Sequence, residues 1–168
     1  MTQEATPGSV QTTGNLRIAF VPAGTGNPLS KAVLDATTTK DITYSLTPDG
    51  WAFPIAETEI PDERLTNPLV GSRPGKSKYG PIGLKYVYGT ASDVAKAALA
   101  YGVEGTIVYR DTVPNETDWT ATTQKVDTIE IVAGRQRKDP PPSDGLFTTS
   151  QNLMVKAGGY KTAQTLVV

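Results

Sequence analysis

The stretch that decides the fold is Val126-Asp127-Thr128-Ile129-Glu130-Ile131-Val132-Ala133. Asp127, Ile129 and Ile131 alternate with Val126, Thr128, Glu130 and Val132, a period of two that belongs to a β-strand. Each face carries an acid and neither is wholly apolar. That pattern fits a strand with one side on a core and the other against a second subunit or a wet channel.

Similar strand patterns recur outward from this segment. Leu16 to Val21 opens the series, and Ile42 to Leu46 follows, closed by Pro48-Asp49-Gly50, whose residue types suit a tight reversal. Trp51 to Ile60 is extended and partly apolar. Ile82 to Tyr88, Val103 to Arg110, Leu146 to Lys156 and Thr162 to Val168 complete the set of expected strands. One segment carries helix signals: Ser92 to Tyr101, SDVAKAALAY, with Ser92 as N-cap and Gly102 at its end. A helix of about 10 residues is marginal alone and must pack on a sheet. The expected fold is therefore mainly β, a two-sheet β-sandwich or barrel with one flanking α-helix at about residues 92–101.

Residues 1–15 are Thr, Gly, Gln and Ser with little apolar content and read as a flexible N-terminal arm. Residues 16–168 then form a single domain of a size that buries roughly 70% of its unfolded surface. Within it, 61–81 is rich in proline, glycine and basic residues and reads as a long loop of functional length. Arg135 to Asp144, RQRKDPPPSD, is a charged, proline-dense connection.

The chain has 168 residues, 16 basic and 17 acidic, for a net charge of -1, and neither histidine nor cysteine. Disulfides, thiolate nucleophiles, most zinc and copper sites and the usual general base near neutral pH are thereby excluded. The near-zero charge gives no global attraction to nucleic acid or an anionic membrane. Thr, at 24, with 16 Gly and 13 Pro, gives the balance of strands separated by turns. No run approaches the roughly 18 consecutive apolar residues of a membrane span, and the N-terminus lacks a signal-peptide pattern. A soluble protein made in a cytoplasm is expected.

Several motifs invite chemistry. Gly71 to Ser77, GSRPGKS, resembles a phosphate loop, yet Val70 stands where the first glycine belongs, Pro74 removes an N–H and no helix signal follows. Glu57 and Glu59, with Asp62 and Glu63 nearby, suit paired-carboxylate catalysis only if burial raises one pKa; solvated strand-edge acids are the simpler reading. Trp51, Tyr44, Tyr86, Tyr88 and Tyr109 suit a stacking platform for sugars or bases, or equally a core or subunit contact. Asn115-Glu116-Thr117 matches a glycosylation acceptor that has no use without secretion.

The order of the segments resembles the major tail tube protein of long-tailed, non-contractile phages, particularly those infecting actinobacteria. The likeness is carried by Leu16-Arg17-Ile18-Ala19-Phe20-Val21-Pro22, by Thr39-Lys40-Asp41-Ile42-Thr43-Tyr44 and by Thr47-Pro48-Asp49-Gly50-Trp51. Arg73-Pro74-Gly75-Lys76, Lys85-Tyr86-Val87-Tyr88 and Gly134-Arg135-Gln136-Arg137-Lys138-Asp139 before Phe147 continue it. It covers roughly residues 16–156 and rests on order and total length rather than on one signature.

The resemblance implies a structural virion protein, not an enzyme, that needs no cofactor, catalytic residue or metal. Hexameric rings would stack into a tube, with four strands per subunit joining a continuous barrel through which DNA passes without specific binding. Implied partners are further copies of itself, the tape measure, tail terminator and tail tip proteins, with no membrane. Its place would be the virion tail after synthesis in the host bacterial cytoplasm. In that frame Glu57, Glu59, Asp127 and Glu130 are candidates for the lumen surface, where acids would repel phosphates. Arg73, Pro74, Gly75, Lys76 and Lys78 would form a ring-stacking loop, and Arg135, Arg137 and Lys138 an inter-subunit basic segment. The alternatives are another tube or neck component, such as a tail terminator or secretion-system tube ring, a carbohydrate-binding β-sandwich module, and a carboxylate-dependent hydrolase.

Overall fold

The computed structural model describes residues 8–62, 71–89 and 93–168. Among them the chain forms β1 (Leu16–Pro22), a short helix α1 (Lys31–Leu34), β2 (Lys40–Asp41), a 3-10 turn (Thr43–Ser45) and β3 (Leu46–Ala52). β4 (Ile55–Asp62), β5 (Gly71–Tyr79), β6 (Ile82–Val87) and α2 (Val94–Ala98) follow, then β7 (Glu104–Asp111), β8 (Lys125–Lys138) and β9 (Thr148–Thr165). Seven strands form one sheet in the order β2-β1-β7-β8-β9-β6-β3, and β4 pairs only with β5. The mainly β architecture read from the sequence is present as a curled half-barrel with a second, two-stranded sheet.

The curl follows from chain length. β2 and β3 are opposite edges of the seven-stranded sheet, yet only Ile42 to Ser45 separate them in sequence. Six spacings of about 4.8 Å would put the edges of a flat sheet about 29 Å apart. The chain from Asp41 to Leu46 can span at most about 18 Å. The sheet must therefore bend until its edges approach. Trp51 on β3 consequently meets Tyr109 on β7, with ring centroids 5.5 Å apart although four strand spacings separate them around the sheet.

Bending creates an inside. Ile18, Phe20, Ile107, Ile129, Ile131, Leu153, Ile82 and Leu84 point into it, and Ala95 and Leu99 of the α2 segment pack there. The alternate residues Ala19 and Val21 of β1 and Val108 of β7 are buried on the other face, under Leu34 of α1, Trp119 and Leu166. Arg110, next to Val108, is 1% exposed. Its guanidinium donates to the carbonyls of Pro114 (2.8 Å), Thr117 (3.0 Å) and Asp118 (3.3 Å) and to Gln124 Oε1 (3.0 Å), and it lies over the Trp119 ring. The loop between β7 and β8 is thus wrapped around one cation, whose pKa is lowered by burial and then by Arg17.

Four sequence expectations are corrected. Ile42 to Leu46 is not a strand but the crossing between edges, with its 3-10 turn. Pro48-Asp49-Gly50 does not end a strand; it sits in β3, whose register with β6 shifts between Leu46 and Trp51. Gly50 is required there because a Cβ would lie 2.1 Å from the Lys85 carbonyl. The long loop expected at 61–81 contains the end of β4 and the whole of β5, while residues 63–70 lie outside the described residues. The helix expected at 92–101 is shorter, Val94–Ala98, with Ser92 outside the described residues.

The two segments expected as separate C-terminal strands are joined in β9, with a register shift against β8 between Ile129 and Ile131. Ile129 pairs with Tyr160 and Ile131 with Val155, so residues 156–159 bulge opposite Glu130. Lys125–Lys138 forms β8, which takes in the first part of the charged connection.

One buried polar pair gives a pH test. The Tyr86 hydroxyl donates to Gln151 Oε1 at 3.0 Å, and Gln151 Nε2 donates to the carbonyls of Leu99 and Gly134, both at 2.8 Å. Burial pushes the Tyr86 pKa from 10.0 up to about 12. Between those values the unfolded chain loses a proton that the folded one keeps, so stability present below pH 10 declines as pH rises toward 12. Urea denaturation across this range should show the decline. Tyr86→Phe should make it shallower, and an unchanged slope would contradict the assignment.

Candidate assembly surface

β4 and β5 form an arm. Ile55 leaves the sheet three residues after Ala52, and Tyr79 returns to it three residues before Ile82. From Ile55 to Pro61 and from Gly71 to Lys78 every residue is exposed except half-buried Gly75, including Ile55 and Ile60. In a two-stranded ribbon both strands are edges, which explains how Pro61 and Pro74 can sit within them. An isolated ribbon of this kind is marginally stable in water. The phosphate-loop-like Gly71 to Ser77 lies within β5, so its backbone is paired as a strand and does not cup an anion.

The arm's root is aromatic. Phe53 stacks on Tyr79 at 5.8 Å, and Tyr160 of β9 meets both rings edge-on, at 5.0 and 5.8 Å. The Gly80 N–H donates to the Pro54 carbonyl at 2.8 Å, closing the neck. Tyr160 is itself held by Asp127. That carboxylate accepts from the hydroxyls of Tyr109 (2.8 Å) and Tyr160 (3.2 Å) and from the Ala163 N–H (2.7 Å). Ala163 has a φ of 50°, in the left-handed region where a side chain is strained, and the carboxylate helps hold it there. The Tyr109 pKa is raised strongly, first by burial and then by its hydrogen bonds and the neighbouring carboxylate; Tyr160 is raised too, again chiefly by burial.

The four acids expected on one surface are therefore separated. Asp127 shares the inner face with Ile129 and is committed to the tyrosines, so it is withdrawn from the lumen set. Glu130 is exposed on the outer face. Glu57 and Glu59 lie on the arm. The sequence had no signal for this split, because alternation assigned the two β8 acids to opposite faces without saying which face was the core. Glu104 shares Glu130's face and was missed; it pairs with Lys156 Nζ at 2.6 Å across β7 and β9. Thr106, Val132, Asn152 and Met154 add neutral surface there.

The basic segment ends β8. The Arg135 guanidinium lies 4.6 Å over the Tyr101 ring, and Lys138 lies 5.3 Å over Tyr88, which also receives Lys96 at 4.9 Å. Tyr88 in turn contacts Phe147, and the exposed Phe147 and Leu146 extend this aromatic and cationic end. The aromatics considered for a stacking platform do not share one surface: Tyr86 is buried, Trp51 rests on Tyr109, and Tyr44 accepts from Asn115 Nδ2 at 2.8 Å. Glu57 and Glu59 are exposed, so burial does not prepare either as a catalytic acid. Among the described residues no group of three or more acidic side chains is placed to hold a metal ion, and no helix is long and apolar enough to cross a membrane.

The curled sheet and its projecting two-stranded arm define a fold class, the mainly β half-barrel, and one fold can serve several families. The sequence specifies which one: a family model described as phage tail tube protein matches residues 3–166, and the chain belongs to that family. Membership places it among phage tail components. No curated protein matches its sequence. Among solved structures it is similar to a chain in the cryo-EM structure of the anti-feeding prophage baseplate, 6-fold symmetrised, with a TM-score of 0.55 and 11% identity over 94% of this chain and 96% of that one. At that identity the likeness is one of fold.

The two acids of β8 give a direct test of the facing. Asp127→Ala leaves two hydroxyls and an N–H without their acceptor and should cost about 1–3 kcal/mol. Glu130→Ala should stay within about 0.5 kcal/mol, as an exposed surface change. Equal costs in chemical denaturation would show that the two faces are misassigned.

Proposed function

We propose that this chain builds hexameric rings that stack into the tail tube of a long-tailed, non-contractile phage of the actinobacteriophage type. The tube is a passive conduit for DNA, and the chain performs no catalysis. The observation that carries this reading is the family match over nearly the whole chain. It is supported by a patch of the sheet's outer face, at the start of β7 and the middle of β8 and β9, where exposed Glu130, half-buried Thr106 and the mutually neutralised Glu104 and Lys156 lie. A ring of such faces offers little fixed positive charge to phosphates, and every neutralised phosphate would add affinity that slows transit.

In this reading Glu130 keeps its place at the lumen, while Glu57 and Glu59 belong to the arm and its subunit contacts. Arg73, Pro74, Gly75, Lys76 and Lys78 act in stacking as a strand instead of a loop. Arg135 and Lys138, with their aromatic partners, and Arg137 between them meet a neighbouring subunit. The tube's ends meet tape measure, terminator and tip proteins. A ring of identical copies needs a heterologous contact repeated until it closes, which the unlike surfaces of arm and sheet can supply.

Electron microscopy of the purified protein at rising concentration should show six-fold rings and then tubes. A monomer at every concentration, with measurable glycan binding, would instead establish the carbohydrate-binding alternative. In phage carrying Glu130→Lys, tails should assemble normally and DNA delivery should fall. Loss of tails would place Glu130 in a subunit contact.

A further inference from the structure

The arm has two faces of opposite charge. In the β4–β5 register Ala56 pairs with Lys78, Glu57 with Ser77, Glu59 with Pro74 and Ile60 with Arg73. Alternation therefore puts Glu57 and Glu59 on one face with Ile55 and Pro61, and Lys78 and Arg73 on the other with Ala56 and Ile60. Lys76, two residues from Lys78, joins the basic face. β4 advances two residues between Glu57 and Glu59 while β5 advances three between Ser77 and Pro74, so β5 carries one extra residue. Without it Arg73, five residues from Lys78, would fall on the acidic face.

The bulge is built in. Thr58 Oγ1 accepts from the Lys76 N–H at 2.8 Å and donates to the Lys76 carbonyl at 3.1 Å. A Cβ on Gly75 would stand 2.5 Å from Thr58 Oγ1 and 2.7 Å from the Thr58 carbonyl, so glycine is required at this crossing. Thr58 and Gly75 thus fix the register that sorts the charges.

We propose that the arm docks on the arm of a second copy of this chain, the acidic face of one against the basic face of the next. The proposal rests on the self-assembly reading above and names its contact. Each arm is complementary to another copy of itself, and because the two faces differ the contact is heterologous and propagates from copy to copy. The apolar Ile55 on one face and Ile60 on the other, 49% and 55% exposed, would be covered in the same packing. No other element of this chain covers either face among the described residues.

Three full-length variants test it: E57K/E59K, with both faces basic; K76E/K78E, with the Lys76 and Lys78 face turned acidic; and the fourfold swap. Each should keep the wild-type melting temperature, since the residues are exposed. Each double variant should need about tenfold or more higher concentration than wild type to assemble, because like charges then face each other. An equimolar mixture of the two doubles, and the fourfold swap, should recover assembly by sedimentation and electron microscopy. Wild-type assembly should also weaken with added salt as the screening length falls from about 10 Å at 0.1 M to about 3 Å at 1 M. Doubles that assemble like wild type, or a mixture no better than its parts, would overturn the arm contact while leaving ring formation standing. A wild type that never assembles would overturn both.

Discussion

Only four residues, Ile42 to Ser45, carry the chain from one edge of the seven-stranded sheet to the other. A span of about 18 Å cannot join edges about 29 Å apart, so the sheet bends, and the rest of the molecule follows from that bend. The concave side collects the isoleucines and leucines of β1, β6, β7, β8 and β9, and the convex side is divided. Its β1 and β7 region and the start of β8, at Val126, are roofed by α1, Trp119 and the C-terminal Leu166, while Glu130 of β8 and Asn152 and Met154 of β9 are left exposed. The bend also brings Trp51 to Tyr109 and sets the start of the arm beside Tyr160.

The same bend gives Asp127 its task. An acid on the inner face of a half-barrel is costly unless its oxygens find donors. Tyr109, Tyr160 and the strained Ala163 supply them, and in doing so they tie β9 beyond its bulge to β8. Tyr160 also forms one wall of the arm's root, so the anchoring of a core carboxylate and the bearing of the arm run through one side chain. The Arg110 cage plays a comparable part at the loop between β7 and β8, where carbonyls that lack strand partners are satisfied by a buried cation.

Much of the fold was legible in the sequence because burial on one face leaves a period of two. β6 shows it plainly, β1 and β7 are buried on both faces and read as short apolar runs, and the expected bounds of all three lie within a residue or two of those observed. The misreadings share a cause. β5 has no buried face, so its composition of Gly, Ser, Arg, Pro and Lys carries no apolar alternation and reads as a loop. β3 holds Pro48-Asp49-Gly50 because a shifted register lets turn-forming residues lie inside a strand, and Gly50 fits only because the Lys85 carbonyl passes so close. The candidate surface was legible as residues but not as a geometry. Arg73, Lys76 and Lys78 stood out as a basic run, whereas their common face depends on one extra residue in β5.

The sequence by itself determined that the chain is a β protein without imidazole or thiol chemistry and with balanced charge. Those properties depend on residue identity and period alone. Its segment order also carried the likeness to the tail tube family, which the family match bears out. Only the tertiary structure decided that Asp127 faces the core and Glu130 the outside, and that residues 71–79 are a strand of a two-faced arm. Alternation fixes which residues share a face. Which face becomes the interior is set by the direction in which the whole sheet bends, a property of seven paired strands and one short crossing that no single segment contains.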